Sequence, residues 1–265
     1  MAIVDSHTQV ARSWYEPVET LLFEMDRNGV DQAVLIQMRG QTDNGYQAEC
    51  VRRYPDRLAS VGIVDAQQPD AEQALERLAE EGHSGVRFHL PLRSPGDDPL
   101  AIWRATARLG LPVSCGGSSP LFAAADFAAA VEAVPELPIV MEHLGGMNHP
   151  VDEADEALRG KVLELARFPN LYIKIHGLGE FCRRAMPPTD PFPFVQPIPS
   201  TLQQAYRAFG AGRMMWGSDF PPVAVREGYG NALRWTMEQL EHLPRAERDQ
   251  IFGGTAAAVF KLRAA

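Results

Sequence analysis

Eight short apolar runs recur along this 265-residue chain, and most are separated by a stretch carrying helix punctuation. The runs begin at Ile3, Gln32, Leu58, Gly85, Leu111, Pro138, Leu171 and Arg213. The first six starts are roughly 26 to 29 residues apart, about one strand, one helix and two loops. Pro17 opens a helical pattern whose Leu21, Leu22 and Met25 form one apolar stripe, with Gly29 past its end. Pro69 precedes a helix over 71–81, and Asp98-Pro99 starts one over 100–109 that Gly110 ends. Further helices are expected over 121–134, 153–168, 200–209, 231–240 and 245–262. Repeated strand–helix alternation predicts a parallel (β/α)₈ TIM barrel, one domain over residues 1–265. A doubly wound open sheet is the alternative, but it usually has fewer strands and a Gly-rich first turn, and no G-x-G-x-x-G follows His7.

Barrel strands are normally apolar on both faces, and here five break that rule near their ends. Strand alternation places Asp5, His7 and Gln9 on one face of Val4-Asp5-Ser6-His7-Thr8-Gln9. It likewise pairs Arg87 with His89, Met141 with His143 and Lys174 with His176, and the eighth run ends at Asp219. Charges buried in a barrel must pair with one another, with water or with a ligand. One polar strand end is usually structural, whereas five converging ones read as an active site at the barrel mouth. The connection 177–199, rich in proline through Pro187, Pro188, Pro191 and Pro193, reads equally as a pocket wall or lid and as a surface or subunit-contact loop.

Composition narrows the partners. A net charge of -9 argues against nucleic acid and anionic membrane surfaces, while leaving room for a small anionic substrate in a local cationic pocket. Three cysteines, Cys50, Cys115 and Cys182, suit a reduced compartment, and neither a signal sequence nor a membrane-length apolar run is read, so the expected location is the cytoplasm. His83, His149 and His242 are expected at the solvated surface, Trp14 and Tyr15 lining the pocket or covering the barrel mouth, and Arg39 and Arg93 reaching either substrate or solvent.

In order and spacing, three motifs resemble the amidohydrolase superfamily, in its amidohydrolase-related branch of sugar lactonases and pyrone-dicarboxylate lactonases. They are Asp5-Ser6-His7-Thr8-Gln9 for the first strand, Glu142-His143-Leu144-Gly145-Gly146 for the sixth, and Gly217-Ser218-Asp219-Phe220-Pro221 for the eighth. Thr255 stands where the family's terminal motif usually has Asn. The resemblance implies a TIM-barrel hydrolase. Two metal-binding histidines of the family are replaced: Gln9 stands for one, and Pro112-Val113-Ser114-Cys115 lacks the other. A catalytic zinc needs three strong protein ligands, so no tightly held metal is expected, although a weakly held divalent cation such as zinc stays open.

The expected activity is hydrolysis of a small lactone bearing a carboxylate or several hydroxyls. Asp219 is the expected base, His7 positions the water, and His143, Arg87 and Lys174 are candidate donors to the developing oxyanion or to a substrate carboxylate. Gln9, Arg87, His89, Lys174 and His176 are expected to bind substrate, with Arg87 and Lys174 on its carboxylate. A decarboxylase or other lyase, using Arg87 and Lys174 as a cationic sink, and an inactive ligand-binding barrel remain alternatives. Homo-oligomerisation stays open.

Overall fold

The computed structural model describes residues 2–147, 156–187 and 192–263. Its strands are β1 (Val4–Thr8), β2 (Gln32–Ile36), β3 (Leu58–Gly62), β4 (Gly85–His89), β5 (Val113–Gly116), β6 (Ile139–Met141), β7 (Leu171–Ile175) and β8 (Met214–Trp216). They pair in chain order, every pair parallel. The ring closes just beyond β8: Asp219 N–H donates to His7 O at 2.9 Å and Gln9 N–H to Phe220 O at 2.8 Å. The expected (β/α)₈ barrel is therefore the fold.

Around it stand α1 (Val18–Asn28), α2 (Gly45–Arg53), α3 (Ala71–Glu80), α4 (Ala101–Leu109), α5 (Ser119–Phe122), α6 (Ala125–Ala133), α7 (Glu156–Glu164), α8 (Thr201–Phe209), α9 (Val223–Arg226), α10 (Tyr229–Gln239), α11 (Arg245–Asp249) and α12 (Thr255–Val259). Helix α1 buries Val18, Leu21 and Met25, and Gly29 ends it at φ 67°, its N–H donating to Met25 O. Helix α2 was absent from the expected series. Its buried face is Gln47, Ala48 and Cys50, too polar to register as an apolar stripe. The helix expected over 121–134 is two, because Ala124 is extended between them. That over 245–262 is interrupted by a π-helical turn, Gln250–Gly254. Among the described residues, no helix is long and apolar enough to cross a membrane.

Two apolar layers follow from strand alternation. Val86, Phe88, Val113, Leu171, Ile173 and Trp216 face outward into the shell shared with the helices. Val4, Val34, Ile36, Val61, Val140 and Met215 face inward, and Ala256, Val259 and Phe260 close that end of the barrel. Lys174 Nζ lies 5.3 Å from the centre of the Phe260 ring, so the polar layer begins directly on this apolar plug.

Two surface expectations change. His83 is buried rather than solvated, with Nδ1 2.8 Å from Ser60 Oγ, while His149 lies outside the described residues. In the connection after β7, Phe192 and Phe194 pack edge-on against Trp235 of α10, with ring centres 5.2 and 5.3 Å away. This part lies outside the barrel and is not a pocket wall. Pro188, Thr189, Asp190 and Pro191 of the same connection lie outside the described residues.

Candidate active site

Simple alternation fails at β1, where the register shifts between Asp5 and Thr8. Val4 faces the interior and Asp5 the helical shell, so Asp5, His7 and Gln9 do not share a face. The Asp5 carboxylate accepts the N–H groups of Ser218 at 2.8 Å and His7 at 3.2 Å. Burial raises its pKa to about 6 despite those bonds. The shift turns His7 inward, and Gln9 reaches the mouth. Gly217 permits the close approach: a Cβ there would lie 2.7 Å from His7 N and 2.8 Å from His7 Cβ.

A second correction concerns the sixth strand. Met141 packs outward and Val140 inward, so the next inward residue is Glu142, not His143. His143 enters the site by another route. The turn His143–Gly146 is left-handed throughout, with φ 52°, 51°, 65° and 76°. Such conformations are costly for His143 and Leu144, and Asp219 also sits at φ 59°. Backbone strain of this kind concentrates at functional positions.

Glu142 anchors a network at the pocket floor, where it and Arg87 both line the cavity. Arg87 donates Nε to its Oε1 at 3.0 Å and Nη2 to its Oε2 at 2.7 Å, and Ser114 Oγ donates to Oε1 at 2.7 Å. Burial alone would raise this carboxyl, but Arg87 and Lys174 hold it well below the usual carboxylate range. Arg87 Nη1 donates to Gln37 O at 2.8 Å. The buried guanidinium is thus satisfied within the protein, which corrects the expectation that it needs a substrate carboxylate. Lys174 Nζ donates to Ser114 Oγ at 2.8 Å and lies 3.4 Å from His7 Nδ1. Burial lowers its pKa to about 7. Lys174 and His176, both expected to bind substrate, are fully buried beneath the residues that line the pocket.

His7, buried among other cationic groups, has its pKa lowered well below the ordinary value and is neutral. Its Nε2 has no partner among the described residues and lies 3.8 Å from Asp219 Oδ1. Asp219 Oδ2 accepts Arg226 Nη1 at 2.6 Å, yet burial raises its pKa to about 6. His143 Nδ1 lies 2.6 Å from Glu180 Oε1. Burial opposes its charge, but Glu180 overrides this and raises its pKa to about 9, so the ring is an imidazolium at neutral pH. Its neighbour His176, whose Nδ1 lies 2.8 Å from His143 Nδ1, is kept neutral by burial and by that cation, at about 3.

Above these groups opens a cavity of about 990 Å³. Of the expected site residues, Gln9, Arg87, His89, His143 and Asp219 line it, with His7 immediately beneath. Trp14, Tyr15 and Arg39 form part of its wall, whereas Arg93 pairs with Asp126 at the surface. Glu142, Ser114, Glu180 and Arg226 were not read as functional from sequence. Glu142 had a signal, since it follows Val140 by two positions and so shares its inward face. Glu180 and Arg226 lie in connections and had none.

Two groups are close enough in space to be considered for a metal: His7 with Glu142 and His143, and His143 with His176 and Glu180. Ligands around a tetrahedral zinc sit roughly 3.3 Å apart. The 2.6 and 2.8 Å separations of the second group are hydrogen-bond distances. In the first group Glu142 is already neutralised by Arg87, and Lys174 stands beside His7. These residues do not fit a tightly held divalent ion.

The amidohydrolase family model matches residues 10–262. An L-fucono-1,5-lactonase from Burkholderia ambifaria is 27% identical over 246 residues, 89% of this chain and 82% of that protein. Among solved structures, an amidohydrolase from Burkholderia multivorans with bound zinc aligns with a TM-score of 0.78 at 24% identity, covering 99% of this chain and 100% of that one. A candidate 2-pyrone-4,6-dicarboxylic acid hydrolase from Pseudomonas putida aligns at 0.76 and 21% identity, covering 100% and 99%.

Proposed function

We propose, on the premise that this chain belongs to the amidohydrolase family, that it hydrolyses small lactones with Asp219 as general base and protonated His143 as oxyanion donor. The L-fucono-1,5-lactonase relative supports a lactone as substrate. The observation that carries the chemistry is the unpartnered His7 Nε2 at 3.8 Å from Asp219 Oδ1, under a cavity that His143 also lines.

With Nδ1 accepting from Lys174 Nζ, an N–H donor whether charged or neutral, His7 carries its proton on Nε2. A water accepting from Nε2–H and donating to Asp219 is thereby oriented. Its own pKa is high, so the proton passes to Asp219 as the oxygen attacks the lactone carbonyl. The oxyanion accepts from His143, whose Nδ1 is committed to Glu180, leaving Nε2–H for the pocket. Collapse breaks the ring C–O bond, and the departing alkoxide takes the proton back from Asp219, giving a hydroxy acid. Gln9 and His89 are the proposed substrate contacts, since both line the cavity and burial keeps His89 neutral, at about 4. The lyase alternative fits less well than hydrolysis, because both cations proposed as its sink are engaged inside the protein.

A pH-indicator screen of sugar lactones and pyrone lactones tests the reading. Turnover of at least one ring class is expected, and folded protein inert towards all of them would overturn it. The kcat/KM profile should be bell-shaped. Activity rises through about pH 6 as Asp219 loses its proton, and falls above about pH 9 as His143 loses its own. A profile flat across both regions would rule out these two roles.

The mechanism uses no tightly held metal, in keeping with the poor fit of the candidate ligands. Purified protein should carry substoichiometric zinc, and chelator should leave turnover intact. Stoichiometric zinc that is lost together with activity would overturn this.

A further inference from the structure

We propose that Arg226 is a positioning residue that fixes the base and the oxyanion donor as one unit, by bridging Asp219 to the carboxylate that holds His143. The inference rests on the roles proposed above for Asp219 and His143. Arg226 ends α9, seven residues after Asp219, so the loop returns its side chain under the same strand end. One nitrogen, Nη1, donates to Asp219 Oδ2 at 2.6 Å and to Glu180 Oε1 at 3.2 Å. The other, Nη2, donates to the backbone oxygens of His176 at 2.9 Å and Ser218 at 3.1 Å. The guanidinium thus spans the ends of two strands, β7 and β8, and both carboxylates. A planar fork can do this and a lysine cannot.

The adjacent residue fastens the same junction. Glu227 Oε2 accepts the Gly179 N–H at 2.6 Å. A Cβ at Gly177 or Gly179 would stand 2.3 or 3.0 Å from the Glu227 carboxylate, so the chain there is pressed onto it. Glu180, one residue later, is thereby delivered to Arg226 and His143 together. Asp219 is also faced by His7 from β1 and feels the charges of His143 and Glu180 directly, while His143 is faced by Glu180, Asp219, Glu142 and His176. Among the described residues, Arg226 is the side chain that hydrogen-bonds both Asp219 and Glu180.

The test compares wild type with R226Q, R226K and E180Q, through kcat/KM profiles and an NMR titration of the His143 ring. Removing the cation should raise the acidic limb in R226Q by about one pH unit or more, the scale of a contacting charge. It should raise the His143 midpoint as well. Misplacement of the base should lower kcat/KM by about 10²-fold. R226K should return the limb towards wild type while recovering the rate only in part. E180Q removes an anion, so both limbs and the His143 midpoint should fall. Folded R226Q and E180Q with unmoved limbs and midpoints would overturn the proposal. Should R226Q not fold, R226K decides: full wild-type kcat/KM in folded R226K would overturn the proposal, because a lysine cannot span both carboxylates and both strand ends. A wild-type enzyme lacking the acidic limb would instead count against the role of Asp219. The NMR titration needs no substrate, so it reads the coupling even where no lactone is turned over.

Discussion

Asp219→Asn should lower turnover by roughly two to four orders of magnitude, the usual contribution of general base catalysis, while the protein remains folded. The substitution isolates the proton. Asp219 lies at φ 59°, a conformation that asparagine adopts about as readily as aspartate, so the backbone is unchanged. The amide oxygen can still accept Arg226 Nη1, which keeps the loop to α9 in place. What is lost is the ability to take a proton from water. Steady-state hydrolysis with circular dichroism as a folding control gives the answer. Near wild-type turnover by the folded variant would make Asp219 structural and move the search for the base to His7 and His89.

Glu142→Gln should cost about 3 to 5 kcal/mol of stability, the scale for removing one partner of a buried ion pair. The carboxylate accepts two donors from Arg87 and one from Ser114, and is fully buried. A glutamine amide would turn its own donors against the guanidinium and leave that charge uncompensated. Denaturant unfolding reads the loss. A double variant, Arg87→Met with Glu142→Leu, should recover much of it, because neither charge is then stranded. Loss below about 1 kcal/mol in the single variant, the range of an exposed pair, would show that Arg87 is balanced by other groups.

The two substitutions probe different layers of one barrel. Glu142 acts at the floor, where it holds Arg87 and, through Ser114 and Lys174, the ring of His7. Asp219 acts at the mouth, where the proposed mechanism places the reacting atoms. The sequence assigned Arg87 and Lys174 to the substrate because their partner was invisible to it.

The repeat of apolar runs by itself determined the barrel, because a strand buried on both faces and a helix buried on one leave distinct periodicities. It also indicated which strands turn polar side chains inward: Arg87, Lys174 and His176 point into the barrel as alternation requires, and His7 and Asp219 lie side by side at the ring closure. Only the tertiary structure decided which face His7 and His143 take. A register shift in β1 and a left-handed turn after β6 each reverse the simple alternation, and neither has a periodic signature. It also decided how the buried charges are paired. Arg87 meets Glu142 across 55 positions and Arg226 meets Glu180 across 46, and such contacts depend on the curvature of the closed sheet rather than on any local pattern.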